Sequence, residues 1–269
     1  MATIKGPFDV DGSFGNFRSY FDPSIGKKIL AEKGGPTREQ FKTSSTYAMA
    51  RDRSTEFGGR SIWASLLKQS LSDAKHLMHP RCFNNIMTVG RLIQQQDETR
   101  PHGFRSIAVN RDPGLLFEIG LNKSLPFASV FRGEYETGLT TDKKTVTMSI
   151  PDFISAQNLR WVTKFNYVRF YMVISQISEV AWNPLNGKYE PLVADLELLS
   201  KVSVSDWIVR NDASVDVYLE ASFDEPAFGC ANTTVVVAMG VEFSNTLFMG
   251  QPFVEPHSGS MAIIGCFTE

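Results

Sequence analysis

Apolar positions follow three successive patterns along the chain. Between Met1 and about Gln40 they are sparse: Phe14, Phe17, Tyr20, Phe21, Ile25, Ile29 and Leu30 stand among glycines and polar residues. Two extended runs, Phe14 to Phe21 and Lys27 to Lys33, flank Asp22-Pro-Ser-Ile-Gly26. Proline presets the turn and glycine tolerates the left-handed region, so the spacing predicts a β-hairpin. An isolated hairpin is marginal in water. This one is expected to find its burial on another surface, either the body of its own chain or a neighbouring subunit.

From about Phe41 to Pro126 the period changes to that of a helix. Ile62, Trp63, Leu66, Leu67, Leu71, Ala74, Leu77 and Met78 recur at helical spacing, with Ser54, Thr55 and Gly58 available to begin the helix. Pro80 stops this helix and suits the first turn of the next, which carries Phe83, Ile86, Met87, Val89, Leu92 and Ile93. Two antiparallel helices joined by a short turn are expected. Arg100 to Pro113 reads as loop, and Leu115 to Ile119 as a short strand or a helical turn.

Beyond Phe127 the chain reads as all-β. Strands are expected over Thr145 to Ile150, Tyr167 to Ile177, Leu192 to Leu199, Val202 to Val209, Val215 to Ala221, Thr233 to Phe243 and Met261 to Phe267. Asn183-Pro-Leu-Asn-Gly187, Asp224-Glu-Pro226 and similar turn signals separate them. About seven strands at this spacing argue for a sandwich, immunoglobulin-like in strand count only. The fold expected is α+β: a β-hairpin arm over 1–40, a helical region over 41–126 and a β-sandwich over 127–269.

Composition changes this picture little. The 269 residues are 42% hydrophobic and 21% charged, close to globular averages. The three cysteines, Cys82, Cys230 and Cys266, are too far apart for a disulfide framework or a Cys-x-x-Cys zinc site. Charge is more informative. Residues 1–126 hold 18 Lys and Arg against 12 Asp and Glu, a net of +6, whereas residues 127–269 hold 9 against 17, a net of −8. A bipolar subunit favours head-to-tail contact, because the basic end of one copy attracts the acidic end of the next. The alternative is that the halves neutralise each other within one molecule. Arg51, Arg53, Arg60, Lys68 and Lys75 are too sparse for the basic stripe of a nucleic-acid binder and read as a solvated helix face.

The candidate chemistry is thin. His76, His79 and Cys82 are the only His/Cys cluster, but Pro80 breaks the helix between them and no fourth ligand is suggested. Asp9-Val-Asp11-Gly12 lacks the later ligands of a calcium loop. No P-loop and no Gly-x-Ser-x-Gly elbow occurs, and Ser258 and Ser260 beside His257 have no carboxylate to orient them. Asp195 and Glu197 fall on alternate positions of a predicted strand, a common arrangement on solvated faces. No catalytic, metal or cofactor-binding residues are assigned, and no cofactor is expected. The start, Met1-Ala-Thr-Ile-Lys-Gly-Pro-Phe-Asp, has no basic region followed by an apolar core, and no window is long enough for a membrane helix. The expectation is a cytoplasmic protein without membrane insertion.

Gly12-Ser-Phe-Gly15-Asn-Phe-Arg-Ser-Tyr-Phe21, then Glu32-Lys-Gly-Gly35, Arg51-Asp-Arg53 and Glu56-Phe-Gly58 ahead of the amphipathic helix form a sequence of motifs. In these, about a quarter of the chain resembles a family of uncharacterised Bacteroidetes proteins. Phe14 stands where that family has an aliphatic residue, and Asp52-Arg53-Ser54 departs from its Thr-Arg-Glu. The resemblance implies a bacterial protein without a leader and carries no established activity.

These readings together predict a non-enzymatic structural subunit. It is expected to form homo-oligomers head to tail, as a filament, tube or shell, without nucleic acid. Phe14, Phe17, Tyr20, Phe21, Ile25, Ile29 and Leu30 are the expected subunit contacts. The alternative is a phage-like or injection-machine accessory, or a carbohydrate- or protein-binding module carried by the sandwich. An enzyme with a site assembled from scattered residues ranks third.

Overall fold

The computed structural model describes residues 2–3, 12–161, 165–227, 232–245, 247–248, 251–252 and 258–268. The chain is α+β and divides into two compact units, Met1–Arg51 and Asp52–Glu269. The helical and β segments beyond residue 51, read separately in the sequence, fall within one unit.

In the first unit four short strands form an antiparallel sheet: β1 (Ala2–Thr3), β2 (Gly12–Phe14), β3 (Phe17–Asp22) and β4 (Lys27–Glu32), in the order β1-β4-β3-β2. The predicted hairpin is β3-β4. The Asp22 carboxylate accepts from the Ser24 amide (2.9 Å) and hydroxyl (2.6 Å), and Gly26 takes φ +63°. The run Phe14 to Phe21, expected as one strand, is two. Gly15, at φ +51°, and Asn16 form a two-residue turn that sets Phe14 opposite Phe17. A turn of two residues leaves the alternation in step, so the pattern alone hides it. After the sheet, Thr37 caps α1 (Arg38–Thr43) in a reciprocal box with Gln40.

Helix α2 (Ala48–Ser70) begins before the Ser54–Gly58 start expected from the sequence, and it ends before Met78. A 3-10 helix over Ser72–Leu77 follows, so the link to α3 (Phe83–Gln95) is no short turn. The physical reason is a notch in the sheet. A Cβ on Gly240 or on Gly259 would lie 2.4 Å from a Leu77 methyl carbon, so only glycine at both positions lets Leu77 seat. The segment kinks at Ala74, whose backbone leaves helical angles (φ −110°, ψ 24°), and both Ala74 and Leu77 are buried. Leu115 to Ile119, for which the sequence allows a strand or a helical turn, lies largely in a 3-10 helix over Pro113–Glu118.

The remaining elements are α4 (Phe127–Val130), β5 (Glu136–Leu139), β6 (Thr145–Phe153), α5 (Ser155–Asn158), β7 (Tyr167–Ser178), β8 (Val180–Asn183), β9 (Lys188–Pro191), β10 (Lys201–Val204), β11 (Ile208–Val209), β12 (Val215–Ser222), β13 (Thr233–Ser244), β14 (Leu247–Phe248), β15 (Gln251–Pro252) and β16 (Gly259–Thr268). Two short helices therefore interrupt the segment read as all-β. The strand expected over Leu192 to Leu199 is instead a loop and a 3-10 helix, in which only Leu196 is buried. Its other leucines are exposed, so no sheet face was available to order them as a strand.

The second unit is layered around an antiparallel sheet in the order β10-β7-β13-β16, with β11 also on β7. Strands β7 and β13 are apolar almost throughout because both their faces are covered. Tyr171, Val173, Ile177, Val236 and Ala238 share a core with Trp63, Leu67, Leu71, Ile86 and Ile93 of the helical layer. Their alternate neighbours, including Phe170, Met172, Ile174, Val235, Val237 and Met239, share a second core with Val146, Met148, Val217 and Leu219 of the small sheet β12-β6-β5. The period of two thus distributes one pair of strands between two cores. Among the described residues, no helix is long and apolar enough to cross a membrane.

Candidate functional site

The predicted contact residues lie on the N-terminal sheet. Its register sets Phe17, Ser19, Phe21 and Leu30 on one face and Arg18, Tyr20, Ile29 and Ala31 on the other. Phe17 is 44% exposed, Phe21 and Ile25 are each 55% exposed, and Tyr20 is 36% exposed with Arg18 over its ring. Leu30 is half-buried, and Ile29, at 5% exposure, presents little surface. The Phe14 side chain lies outside the described residues. Between Phe17 and Phe21 the buried Ser19 hydroxyl has no hydrogen-bond partner. The two cores described above draw on the second unit alone.

The main polar cluster of the second unit was not anticipated. Glu242 on β13 has a fully buried side chain and faces Arg169 across the β7-β13 ladder. Arg169 Nε donates to Glu242 Oε2 at 2.6 Å, and the Tyr171 hydroxyl donates to the same oxygen at 2.9 Å. Arg169 also donates to the Tyr171 hydroxyl (2.6 Å) and lies over the Trp207 ring. His76 Nε2 stands 3.1 Å from Glu242 Oε1, held there because Leu77 is locked into the glycine notch. Burial alone would raise the Glu242 pKa. The nearby His76 imidazole, the hydrogen bonds from Arg169 and Tyr171 and the guanidinium charge outweigh it and hold the carboxyl below its ordinary value. Burial and the Glu242 charge push the Tyr171 hydroxyl far above its ordinary range, so it stays a donor. The signal was present in the sequence: Arg169 and Glu242 are charges inside otherwise apolar strand runs.

A second set of contacts accounts for Glu56 of the Glu56-Phe-Gly58 motif, whose Phe57 is exposed. Buried Glu56 accepts from Arg105 through both carboxylate oxygens (2.7 and 2.8 Å) and from the Gly103 amide (3.0 Å). Burial would raise its pKa, but the Arg105 and Gly103 hydrogen bonds leave it lowered. The Tyr189 hydroxyl donates to the Arg105 carbonyl at 2.9 Å, and its ring closes over Gly59, where a Cβ would lie 2.7 Å away. Asp97 completes the loop, accepting from the amide and hydroxyl of both Thr99 and Ser106. These groups hold the loop after α3 against α2, which is a structural task.

The other sequence candidates disperse. His76 faces Glu242, His79 Nδ1 accepts the Arg81 amide (3.1 Å), and Cys82 lies in the helix-side core. Among the described residues, no group of three His, Cys, Asp or Glu side chains is placed to hold a metal. Ser258 and Ser260 donate to the Phe243 and Leu125 carbonyls. Asp195, at φ +61°, precedes the 3-10 helix that contains Glu197, so the two do not share a strand face. Asp9, Asp11 and His257 lie outside the described residues. The chain matches no protein-family model, no curated protein and no solved structure.

Proposed function

We propose that the protein is a non-enzymatic structural subunit that assembles head to tail, seating its N-terminal sheet on the next copy. The observation that carries this reading is the N-terminal sheet itself. It is a single four-stranded layer on which Phe17, Tyr20, Phe21 and Ile25 are exposed. A sheet with apolar groups on its faces gains stability when another layer covers it. The first unit carries a net charge of +3 and the second −5 (eight Lys and Arg against five Asp and Glu, and 19 against 24), and opposite charges steer such a contact. A heterologous contact closes into a ring or propagates as a filament. Residence in the cytoplasm and descent from the Bacteroidetes family belong to the same proposal.

The test is sedimentation velocity and electron microscopy of the full chain beside the Phe17→Ser/Phe21→Ser variant. Regular polymers from the parent chain and monomers from the variant are expected. A parent chain that stays monomeric at high concentration would overturn the reading. A binding module is the second reading. An open trough of about 330 Å³ favours it, lined by Phe117, Phe127, Phe131 and Tyr135 beside Ile263 and Ile264.

A further inference from the structure

Head-to-tail assembly needs a receiving surface as well as a donating one. Resting on that reading, we infer that the groove between the outer edges of β10 and β12 receives the N-terminal sheet of the next copy. Among the described residues, β10 pairs only with β7 and β12 only with β6, so each has one open backbone edge. Open edges are templates for strand addition, and folded proteins normally cover or blunt them. Here they bound a groove of about 360 Å³ whose lining includes Val204, Val215 and Tyr218. These three side chains are 39%, 38% and 60% exposed, and the exposed Val202 and Val209 extend the apolar surface along the same edge.

Charge selects the occupant. Among the described residues, Asp206 and Asp216 line the groove and no lysine or arginine does, and the exposed Glu220 accepts from the Tyr218 hydroxyl at 3.0 Å. The nearest cations in sequence are engaged: Lys201 bonds Asp224 at 2.9 Å, and Arg210 lies over the Trp161 ring. The first unit, Met1–Arg51, in contrast carries eight Lys and Arg against five Asp and Glu. A first unit of net positive charge that exposes Phe17 and Phe21 therefore complements an acidic groove floored by valine and tyrosine, in charge and in apolar surface.

Two half-blind chains test the pairing. Phe17→Ser/Phe21→Ser removes the donating face, and Asp206→Lys/Tyr218→Ser removes the receiving one. All four side chains are exposed, so both variants keep the parent circular dichroism and melting temperature. Asp216 is left alone because its carboxylate accepts the Asp152 amide. Each variant alone is expected to sediment as a monomer. Their equimolar mixture is expected to form a two-chain species and nothing larger, weakening as salt is raised. If Asp206→Lys/Tyr218→Ser polymerises like the parent while Phe17→Ser/Phe21→Ser does not, the groove is wrong and the assembly stands. A mixture that stays monomeric overturns the pairing, and a monomeric parent overturns both.

Discussion

A carboxylate placed inside a sheet survives there only if its partners are worth more than the water it gives up. Glu242 meets that condition through Arg169, Tyr171 and His76. Glu242→Gln leaves Arg169 without its counter-charge at the sheet. The expected cost is about 3 kcal/mol, read from the urea midpoint, the low end of the range for a broken buried pair because Arg169 keeps some solvent contact. The same pair makes stability depend on pH. Because the folded pKa lies below the ordinary 4.5, the contribution is complete above about pH 5 and is lost as pH falls through the folded value. Glu242→Gln should therefore flatten the acid limb of the stability profile below pH 4.5 and leave the neutral region parallel to the parent. A variant with an unchanged acid limb would show that Glu242 does not govern it. The glycine notch gives a second test at this scale. Gly240→Ala meets mainly the movable end of Leu77, whereas Gly259→Ala also meets the Val241 carbonyl at 2.4 Å. Overpacking of this kind costs about 1–3 kcal/mol. Gly259→Ala should cost more than Gly240→Ala, and adding Leu77→Ala should rescue Gly240→Ala better.

Among the elements, the loop after α3 is held by two independent carboxylates, and the amides they bind report each one separately. Gly103 donates to Glu56, and Ser106 donates to Asp97. Glu56→Ala should speed hydrogen exchange at Gly103 by roughly 10-fold or more while Ser106 stays protected, and Asp97→Asn should do the reverse. Simultaneous loss at both amides in either variant would mean that the loop opens as one piece. This latch also marks the limit of what the sequence made legible. Long apolar strands such as β7 and β13 and the hairpin turn at Asp22–Gly26 were readable, because period and turn chemistry are local. The end of α2 was not. Leu71, Ala74, Leu77 and Met78 suit an α-helix by period, and the cause of the change, Gly240 and Gly259, lies far along the chain. Leu192 to Leu199 failed for the complementary reason: apolar residues were present, but no neighbouring face buries most of them. Glu242 and Arg169 were visible as residues, yet their meeting depends on the β7-β13 register.

Within the second unit, stability runs through strands that belong to two cores at once. Leu67 reports on the helix-side core and Met148 on the core beneath the small sheet, and each core contains alternate residues of β7 and β13. Losing either layer exposes one face of the same central strands, whose backbone ladder then stands half-solvated. Neither layer has an independent route to unfold while the other keeps those strands in place. Leu67→Ala and Met148→Ala should each cost about 2–5 kcal/mol, because both sites are fully buried and collapse poorly. Both should move a single transition, with the helical signal at 222 nm and the near-ultraviolet aromatic signal remaining coincident. If Leu67→Ala lowered only the helical transition and left the aromatic one in place, the shared sheet would not couple the layers. The helical region would then be a separable cap on a self-sufficient sandwich.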